Sequence, residues 1–221
     1  MPTFSTVFNF FGVALLLALT PGPDNLFVLV QSMQRGVRVG LAVVLGLCLG
    51  LLVHTSAVAL GLAAVLATLP LAFSLLQIAG AVYLAWLAWQ ALRPRPAGSA
   101  SATAIGPTTS TAASPTALAR MVGRGLLMNL SNPKVLLFFL AFLPQFTHPA
   151  QGSIASQVLW LGLVFMLATL LVFGAIACFS GYFATLLQRH AHAQSWLDKL
   201  AGLVFLALAL RLLSSELALP E

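Results

Sequence analysis

Residues 20–25 read Thr-Pro-Gly-Pro-Asp-Asn, and they interrupt a hydrophobic segment that otherwise runs from Phe4 to Val30. The two prolines remove two backbone donors and clash with the preceding turn, and the glycine between them loosens the helix further. Asp24, directly after the second proline, is one of only four acidic residues in the protein. Because a carboxylate flanked by membrane-grade apolar sequence is costly, this position is a candidate functional site.

A second interruption of the same kind follows later in the chain. Asn132-Pro133-Lys134 interrupts the apolar run from Leu126 to Phe146, and at one constant offset Pro133 aligns with Pro23 and Lys134 with Asp24. Paired interrupted segments in corresponding positions of two halves point to the binding site of a transporter. Proline kinks without a site are common in membrane helices, but a charge directly after each break favours the binding-site interpretation.

The composition excludes a soluble protein. Of 221 residues, 60% are hydrophobic and 6% are charged, with a mean hydropathy of +1.02, whereas a soluble domain carries roughly 25% charged residues. We therefore predict an all-α polytopic membrane protein. The net charge of +6 does not indicate a nucleic-acid partner, because the basic residues are spread through short loops. We expect no enzyme activity, no cofactor and no metal site.

Six apolar segments are long enough to cross a bilayer, about 4–31, 40–66, 70–92, 124–146, 156–183 and 196–213. Between the third and fourth, a stretch rich in Pro, Ala, Ser and Thr predicts a flexible cytoplasmic linker over 94–123. It separates a first three-span repeat, 1–93, from a second, 124–221. Because three is an odd number, the second repeat enters the membrane in the opposite orientation. The predicted fold is therefore two inverted three-helix repeats, with helices 1 and 4 broken at Pro21, Pro23 and Pro133.

The distribution of Lys and Arg predicts the topology. They occur between segments 1 and 2, 3 and 4, and 5 and 6, whereas the N-terminal tail and the connections 67–69 and 147–155 carry none. The positive-inside rule then places the basic loops in the cytoplasm and both termini on the outside. Arg211, near the predicted outer end of segment 6, departs from this bias, but its side chain can snorkel to the interface.

Small and polar residues inside the spans are predicted to serve packing. Gly36, Gly40, Gly46 and Gly50 give Gly-xxx-Gly spacing twice, which lets helices approach closely. Polar residues in spans 2 and 3 are expected to form helix-to-helix hydrogen bonds and not ligand contacts; they are His54, Gln77 and Tyr83.

Each break is predicted to begin a new half-helix. Asn132 is a favoured N-cap residue with Pro133 in the first helical position, and Gly22 and Pro23 take the same positions at the first break. Such helix starts offer free N–H groups to a carboxylate, and the carbonyls that end the preceding half-helix can accept from an ammonium group. The candidate substrate-binding residues are Thr20, Gly22, Asp24, Asn25, Asn132 and Lys134.

The two charges differ in what they require. The helix dipole favours Asp24 in a first turn, whereas both the dipole and desolvation disfavour Lys134 there. We expect Lys134 to interact with Asp24, directly or through one water or a substrate. A zwitterion could replace both partners, with its amine on Asp24 and its carboxylate on Lys134. Alternatively, Asp24 could accept a proton when the pair opens, which would couple transport to the proton gradient. The sequence leaves both open.

The same residues resemble the LysE/RhtB family of amino-acid exporters, named for the lysine exporter and the homoserine/threonine exporters. The likeness spans nearly the whole chain apart from the linker. It rests on residues 20–25, Gly80-Ala81-Val82-Tyr83-Leu84, Asn132-Pro133-Lys134, Phe138-Phe139 and Pro144-Gln145-Phe146. The resemblance implies a multi-pass bacterial inner-membrane exporter of amino acids or similar small metabolites, driven by the proton-motive force. The expected partners are that substrate, protons and the lipid bilayer, and a homo-oligomer is compatible with the sequence.

Two other functions stay open at this stage. Relatives in the wider superfamily that carry thiols are similar in being built from three-span repeats, so Cys48 and Cys178 could serve a membrane thiol-disulfide carrier. Replacing both cysteines with alanine would inactivate such a carrier and spare an exporter. A non-transporting membrane scaffold would instead tolerate the loss of both charges at the breaks.

Overall fold

The computed structural model describes residues 1–68, 70–93, 114–182 and 191–217, and within these ranges the chain is helical, without strands. The α-helices are α1 Phe4–Leu19, α2 Pro23–Arg35, α3 Val37–Thr68, α4 Pro70–Leu92, α5 Pro115–Leu130, α6 Pro133–Leu137, α7 Ile154–Cys178 and α8 Ala191–Leu217. Helix α6 continues as one π-helical turn, Phe138–Phe142, and a 3-10 turn, Leu143–Phe146, and a further 3-10 turn spans Pro149–Gln151.

Several of these helices are long and apolar enough to cross a membrane. Among the described residues, Val37–Gly61, Ser74–Leu92 and Ile154–Cys178 qualify as single helices. Two bent helix pairs bring the total to five if each pair forms one span. The protein is thus an all-helical, multi-pass membrane protein. The sixth predicted segment, 196–213, lies within α8, and a sixth span stays a prediction.

Both predicted helix breaks are present. The axis turns by 63° between α1 and α2, and by 53° between α5 and the segment Pro133–Phe146. A proline occupies the start of each second half. Because proline has no N–H and restricts the residue before it, a continuous helix cannot run through either position.

The linker prediction is wrong at its C-terminal end. Helix α5 begins at Pro115, so residues 115–123 are helical and not flexible. Ser114 is the N-cap, its Oγ accepting from the backbone N of Ala117 at 3.3 Å, and Pro115 follows it. The serine and proline that suggested disorder are therefore the residues that start a helix. The rest of the predicted linker, 94–113, lies outside the described residues.

Close helix contacts at glycines surround the breaks. Helix α3 packs along both α5 and α7, α4 packs along α8, and α1 packs along α7. A Cβ added to Gly46 in α3 would overlap the α5 backbone at Val122, and one added to Gly125 in α5 would overlap the carbonyl of Val43. The prediction of tight packing is confirmed for Gly40, Gly46 and Gly50, where an added Cβ would meet Ser32, Val122 and Asn129. It is wrong for Gly36, which is the C-cap of α2 at φ 89° and has no described atom within 4 Å of an added Cβ.

An aromatic cluster fills the core beside the second break. Phe10, Phe138, Phe139 and Phe142 are fully buried, and the rings of Phe138 and Phe139 lie 5.2 Å and 5.3 Å from that of Phe165. Such ring pairs add to the free energy of area burial. This packing fixes α6 and its continuation against α1 and α7.

Arg211 makes specific contacts with aromatic rings, which go beyond the snorkelling predicted for its side chain. Its guanidinium carbon lies 4.5 Å from the ring centroid of Phe146 and 5.6 Å from that of Phe142. These distances are those of a cation–π interaction. The charge therefore has partners within the protein, which accounts for a basic residue at a position that the loop-charge bias disfavours.

Candidate functional site

The first break ends α1 with its own polar side chains. Thr20 Oγ1 donates to the carbonyl of Leu16 at 2.8 Å, and Asn25 Nδ2 donates to that of Ala18 at 2.9 Å. Gly22 is the N-cap of α2, as predicted, and it makes no side-chain capping bond. The hydroxyl of Thr20 and the amide nitrogen of Asn25 thus satisfy the end of α1, while α2 begins without a side-chain cap.

Asn132 joins the two breaks. Its Oδ1 accepts from the backbone N of Lys134 at 3.1 Å, which caps α6 as predicted. Its Nδ2 donates to Oδ2 of Asp24 at 2.7 Å. Because the acceptor is a carboxylate, this second bond is charge-assisted. One side chain therefore fixes the start of α6 and holds the acidic group of the other break.

The ammonium group of Lys134 is bound by the end of α1. It donates to the carbonyl of Leu17 at 3.3 Å and to that of Thr20 at 3.4 Å, and the residue is only 9% exposed. The C-terminal end of a helix carries the negative end of its dipole, which favours a cation. The carbonyls at the end of α1 thus accept from an ammonium group, but the donor is the protein's own lysine, and their role toward a ligand stays a prediction.

Asp24 and Lys134 do not share a direct hydrogen bond. Asp24 is 4% exposed, its Oδ2 binds Asn132, and among the described residues its Oδ1 has no hydrogen-bond partner. The two charged side chains nevertheless line one cavity. Contact through a water or a substrate therefore stays a prediction, whereas the direct form of the pair is wrong for this conformation.

The cavity that these charges line is small. It encloses about 20 Å³, and its wall also includes Asn129, Thr169, Phe165 and Phe173. A site of roughly 10–15 Å³ on this measure holds one water molecule. The cavity is therefore too small for an amino acid in this conformation, and such a ligand requires it to widen.

Of the six predicted site residues, Asp24 and Lys134 line this cavity. Thr20 and Asn132 are buried; the Thr20 carbonyl accepts from Lys134 Nζ, and Asn132 Nδ2 donates to Asp24 Oδ2. A Cβ added to Gly22 would lie 3.5 Å from Lys134 Nζ and 3.6 Å from Asn25 Oδ1. The sequence analysis did not single out the other eight lining residues, which are Leu17, Ala18, Leu47, Asn129, Val135, Phe165, Thr169 and Phe173. Asn129 could have been found, since it is a polar residue within an apolar run just before the second break.

The polar residues of spans 2 and 3 behave differently from one another. His54 Nε2 lies 3.3 Å from the backbone carbonyl of Asn129, which confirms the predicted helix-to-helix hydrogen bond. For Gln77 that prediction is wrong at Oε1, which is buried and has no hydrogen-bond partner among the described residues. The ring of Tyr83 packs 5.5 Å from that of Trp86. His54 thus touches a residue that lines the cavity.

The cysteines give the redox alternative no support. Cys48 is buried in an apolar cluster and Cys178 is exposed at the end of α7, and both are free thiols. Neither lines the cavity at the breaks. Within the described ranges, no group of three His, Cys, Asp or Glu residues could hold a metal ion.

Comparison with known proteins identifies the family of this chain. The family model described as LysE type translocator matches residues 15–216. The homoserine/homoserine lactone efflux protein of Salmonella typhimurium is 34% identical, over 86% of this chain and 84% of its own. The leucine efflux protein of Enterobacter sp. is 31% identical over 91% and 92%, and the threonine efflux protein of Escherichia coli is 27% identical over 92% and 95%. No solved structure matches. The chain belongs to the LysE/RhtB family of translocators.

Proposed function

We propose that this protein exports amino acids or related small zwitterionic metabolites across the bacterial inner membrane. The observation that carries the proposal is the cavity lined by both Asp24 and Lys134, one charge from each helix break. Buried opposite charges around one small cavity suit a ligand that carries both charges itself. The efflux proteins similar to this chain are named for homoserine, homoserine lactone, leucine and threonine.

The proposed binding mode places the substrate amine at Asp24 and its carboxylate at Lys134 and the start of α2. Oδ1 of Asp24 has no donor, and an ammonium group supplies donors of the right charge. Gly22 gives α2 no side-chain cap, so the first-turn N–H groups are available to an anion. Homoserine lactone keeps the amine and lacks a free carboxylate, which makes the amine the group common to these substrates.

Proton antiport is the proposed coupling. Asp24 is the acidic residue that lines the cavity, and a carboxylate binds either a proton or a substrate ammonium. Exchange of these two cations at one oxygen would couple amine export to proton entry. Under this scheme the protein alternates between a protonated and a substrate-bound Asp24.

We also propose six spans arranged as inverted repeats. A pseudo-two-fold axis relating 1–93 to 124–221 would turn the contact of α1 with α7 into the contact of α5 with α3, and both contacts are present. The same axis would map the pairs α3–α7 and α4–α8 onto themselves, and these helices also pack together. The contact pattern supports alternating access by movement around the breaks.

The proposed topology has periplasmic termini. The backbone N of Met1 donates to the carbonyl of Gln151 at 2.7 Å. The N-terminal segment and the connection before α7 therefore lie on the same side of the helices, as the Lys/Arg distribution requires. Replacement of Ser101 and, separately, of Ala150 by cysteine in a cysteine-free background tests the assignment. An impermeant thiol reagent applied to spheroplasts should label Ala150→Cys and spare Ser101→Cys; the reverse pattern would invert the topology.

Reconstitution tests the function itself. Proteoliposomes preloaded with radiolabelled L-homoserine, L-threonine or L-leucine should release at least one of these probes faster than protein-free liposomes do. Release should accelerate when a proton gradient directed toward the probe compartment is imposed. Equal release with and without protein, for all three probes, would rule out the proposal. Release that does not change with the proton gradient would leave the exporter proposal standing and rule out proton antiport.

A further inference from the structure

Asn129 presents an unused hydrogen-bonding group at the cavity. The residue is 3% exposed and lines the same space as Asp24 and Lys134. Among the described residues, its Oδ1 has no hydrogen-bond partner, and the same is true of Oδ1 of Asp24. A buried acceptor without a donor is costly, so two of them at one cavity require an explanation.

The backbone of Asn129 is held firmly while its carboxamide oxygen is not bonded. Its carbonyl lies 3.3 Å from His54 Nε2 and accepts from the backbone N of Asn132 at 3.1 Å. The side chain lies against Gly50 of α3, where an added Cβ would be 2.6 Å from Oδ1. Helix α3 thus leaves room for this side chain and fixes its position. A group that is positioned in this way and left without a partner is arranged for a ligand.

The ammonium group of Lys134, which lines the same cavity, is already hydrogen-bonded within the protein. Lys134 directs its ammonium at the carbonyls of Leu17 and Thr20 at the end of α1. The two free oxygens therefore call for a donor from outside the protein. A primary ammonium group carries three N–H donors and a charge that suits the carboxylate.

We propose that Asn129 is a substrate-binding residue whose carboxamide oxygen, together with Oδ1 of Asp24, binds the α-ammonium group of the exported compound. This assignment rests on the proposed export function and names a specificity determinant for it. Asn129 and Asp24 come from different halves of the chain, so the amine is bound between the two breaks. An N-acylated compound has neither the charge nor the three donors and is excluded.

A counterflow experiment tests the assignment. Proteoliposomes of the full-length protein are assayed in sodium-free potassium buffer with whichever of L-homoserine, L-threonine and L-leucine the wild type transports. The unlabelled probe and its N-acetyl form serve as competitors. The variant is Asn129→Leu, which keeps the size of the side chain. The matched control is Gln77→Leu, because Gln77 is also a buried carboxamide with a free oxygen but does not line the cavity.

Asn129→Leu should raise the concentration of unlabelled probe that gives half-inhibition by about tenfold or more, the effect of losing a hydrogen bond to a charged group. Gln77→Leu should give the same half-inhibition as the wild type. The N-acetyl form should not compete with the labelled probe in either protein. If Asn129→Leu does not yield monodisperse protein, Asn129→Ser, which is smaller, should show the same direction of change.

Three results separate the possible failures. Equal half-inhibition in Asn129→Leu and Gln77→Leu would overturn this inference and leave the exporter proposal standing. Counterflow that appears only when sodium is added to this buffer, with the Asn129 variant changing only the sodium requirement, would make the oxygens a sodium site and also overturn it. No transport of any probe by the wild type, either without or with sodium, would remove the exporter proposal and this inference with it.

Discussion

The two helix breaks share a proline at the start of the second half-helix but differ in how their polar groups are satisfied. At the second break, Asn132 caps α6 and donates to Asp24, and Lys134 binds the end of α1. At the first break, Gly22 supplies no side-chain cap, and Asp24 keeps one oxygen that has no partner in the part of the chain that the structure describes. The polar groups of the second break are thus hydrogen-bonded within the protein and hold Asp24 in place, whereas the first break keeps a carboxylate oxygen for a ligand.

This difference shows that two helix breaks of similar sequence need not share a role. The prolines interrupt a helix twice, because each removes a helical hydrogen bond. The residues beside the prolines differ in role. The side-chain amide of Asn132 and the ammonium group of Lys134 hold the site together, whereas the carboxylate of Asp24 can still accept a hydrogen bond. Substitutions at these residues test the difference.

The largest expected effect follows from Asp24→Asn. The substitution keeps an oxygen that can accept from Asn132 and removes the negative charge. Loss of one partner of a buried, charged contact costs about 2–5 kcal/mol, so proteoliposome efflux should fall by at least about thirtyfold. The elution profile in detergent should match that of the wild type. Efflux that persists would show that the first break is not the ligand-binding one.

Lys134→Met is expected to affect stability as well as transport. It keeps much of the apolar stem and leaves the carbonyls of Leu17 and Thr20 without their donor. An unsatisfied buried group costs about 1–3 kcal/mol, so the variant should unfold at lower denaturant concentration in mixed micelles. If only efflux changed and stability did not, the ammonium would serve the substrate and not the end of α1.

Asn132 allows its two functions to be separated. Asn132→Ser keeps an N-cap acceptor for α6 and loses the bond to Asp24, whereas Asn132→Leu loses both. The loss of a cap costs about 1 kcal/mol, so the leucine variant should be less stable than the serine variant by about that amount in the same unfolding assay. Equal stabilities would mean that capping does not contribute to the clamp.

Gly22→Ala should have the smallest effect on folding. Its φ of −160° is extended backbone open to any residue, and the added Cβ would lie 3.5 Å from Lys134 Nζ and 3.6 Å from Asn25 Oδ1. These are ordinary contacts, so stability should stay within about 0.5 kcal/mol of the wild type. Stable protein with impaired efflux would sharpen the comparison, because it would show that a ligand needs the space beside this glycine.

Features that depend only on neighbouring residues could be predicted from the sequence. The breaks and both N-caps follow from proline, glycine and asparagine acting within a few residues of themselves. The role of Ser114 and Pro115 was equally local, but their composition also fits a linker, and that interpretation was wrong.

Hydrogen-bond and packing partners from distant parts of the chain could not be predicted from the sequence. Lys134 binds carbonyls at the end of α1, and Asn129 is positioned by His54 and Gly50 of α3. No spacing rule joins such positions, because their distance depends on how the helices pack. The sequence therefore predicted Asp24 and Lys134 as residues of the cavity, but not the other lining residues or the hydrogen bonds that depend on helix packing.

The glycine contact between α3 and α5 bears on how the protein is assembled during synthesis. The face of α3 that includes Gly46 and Gly50 packs on α5, which the ribosome makes after α1 to α4. Until then this face lacks its final partner, so the first half inserts before it can reach its final packing. Residues 1–93 and 114–221, expressed as two separate polypeptides in one cell, would therefore be unstable singly and mutually rescuing.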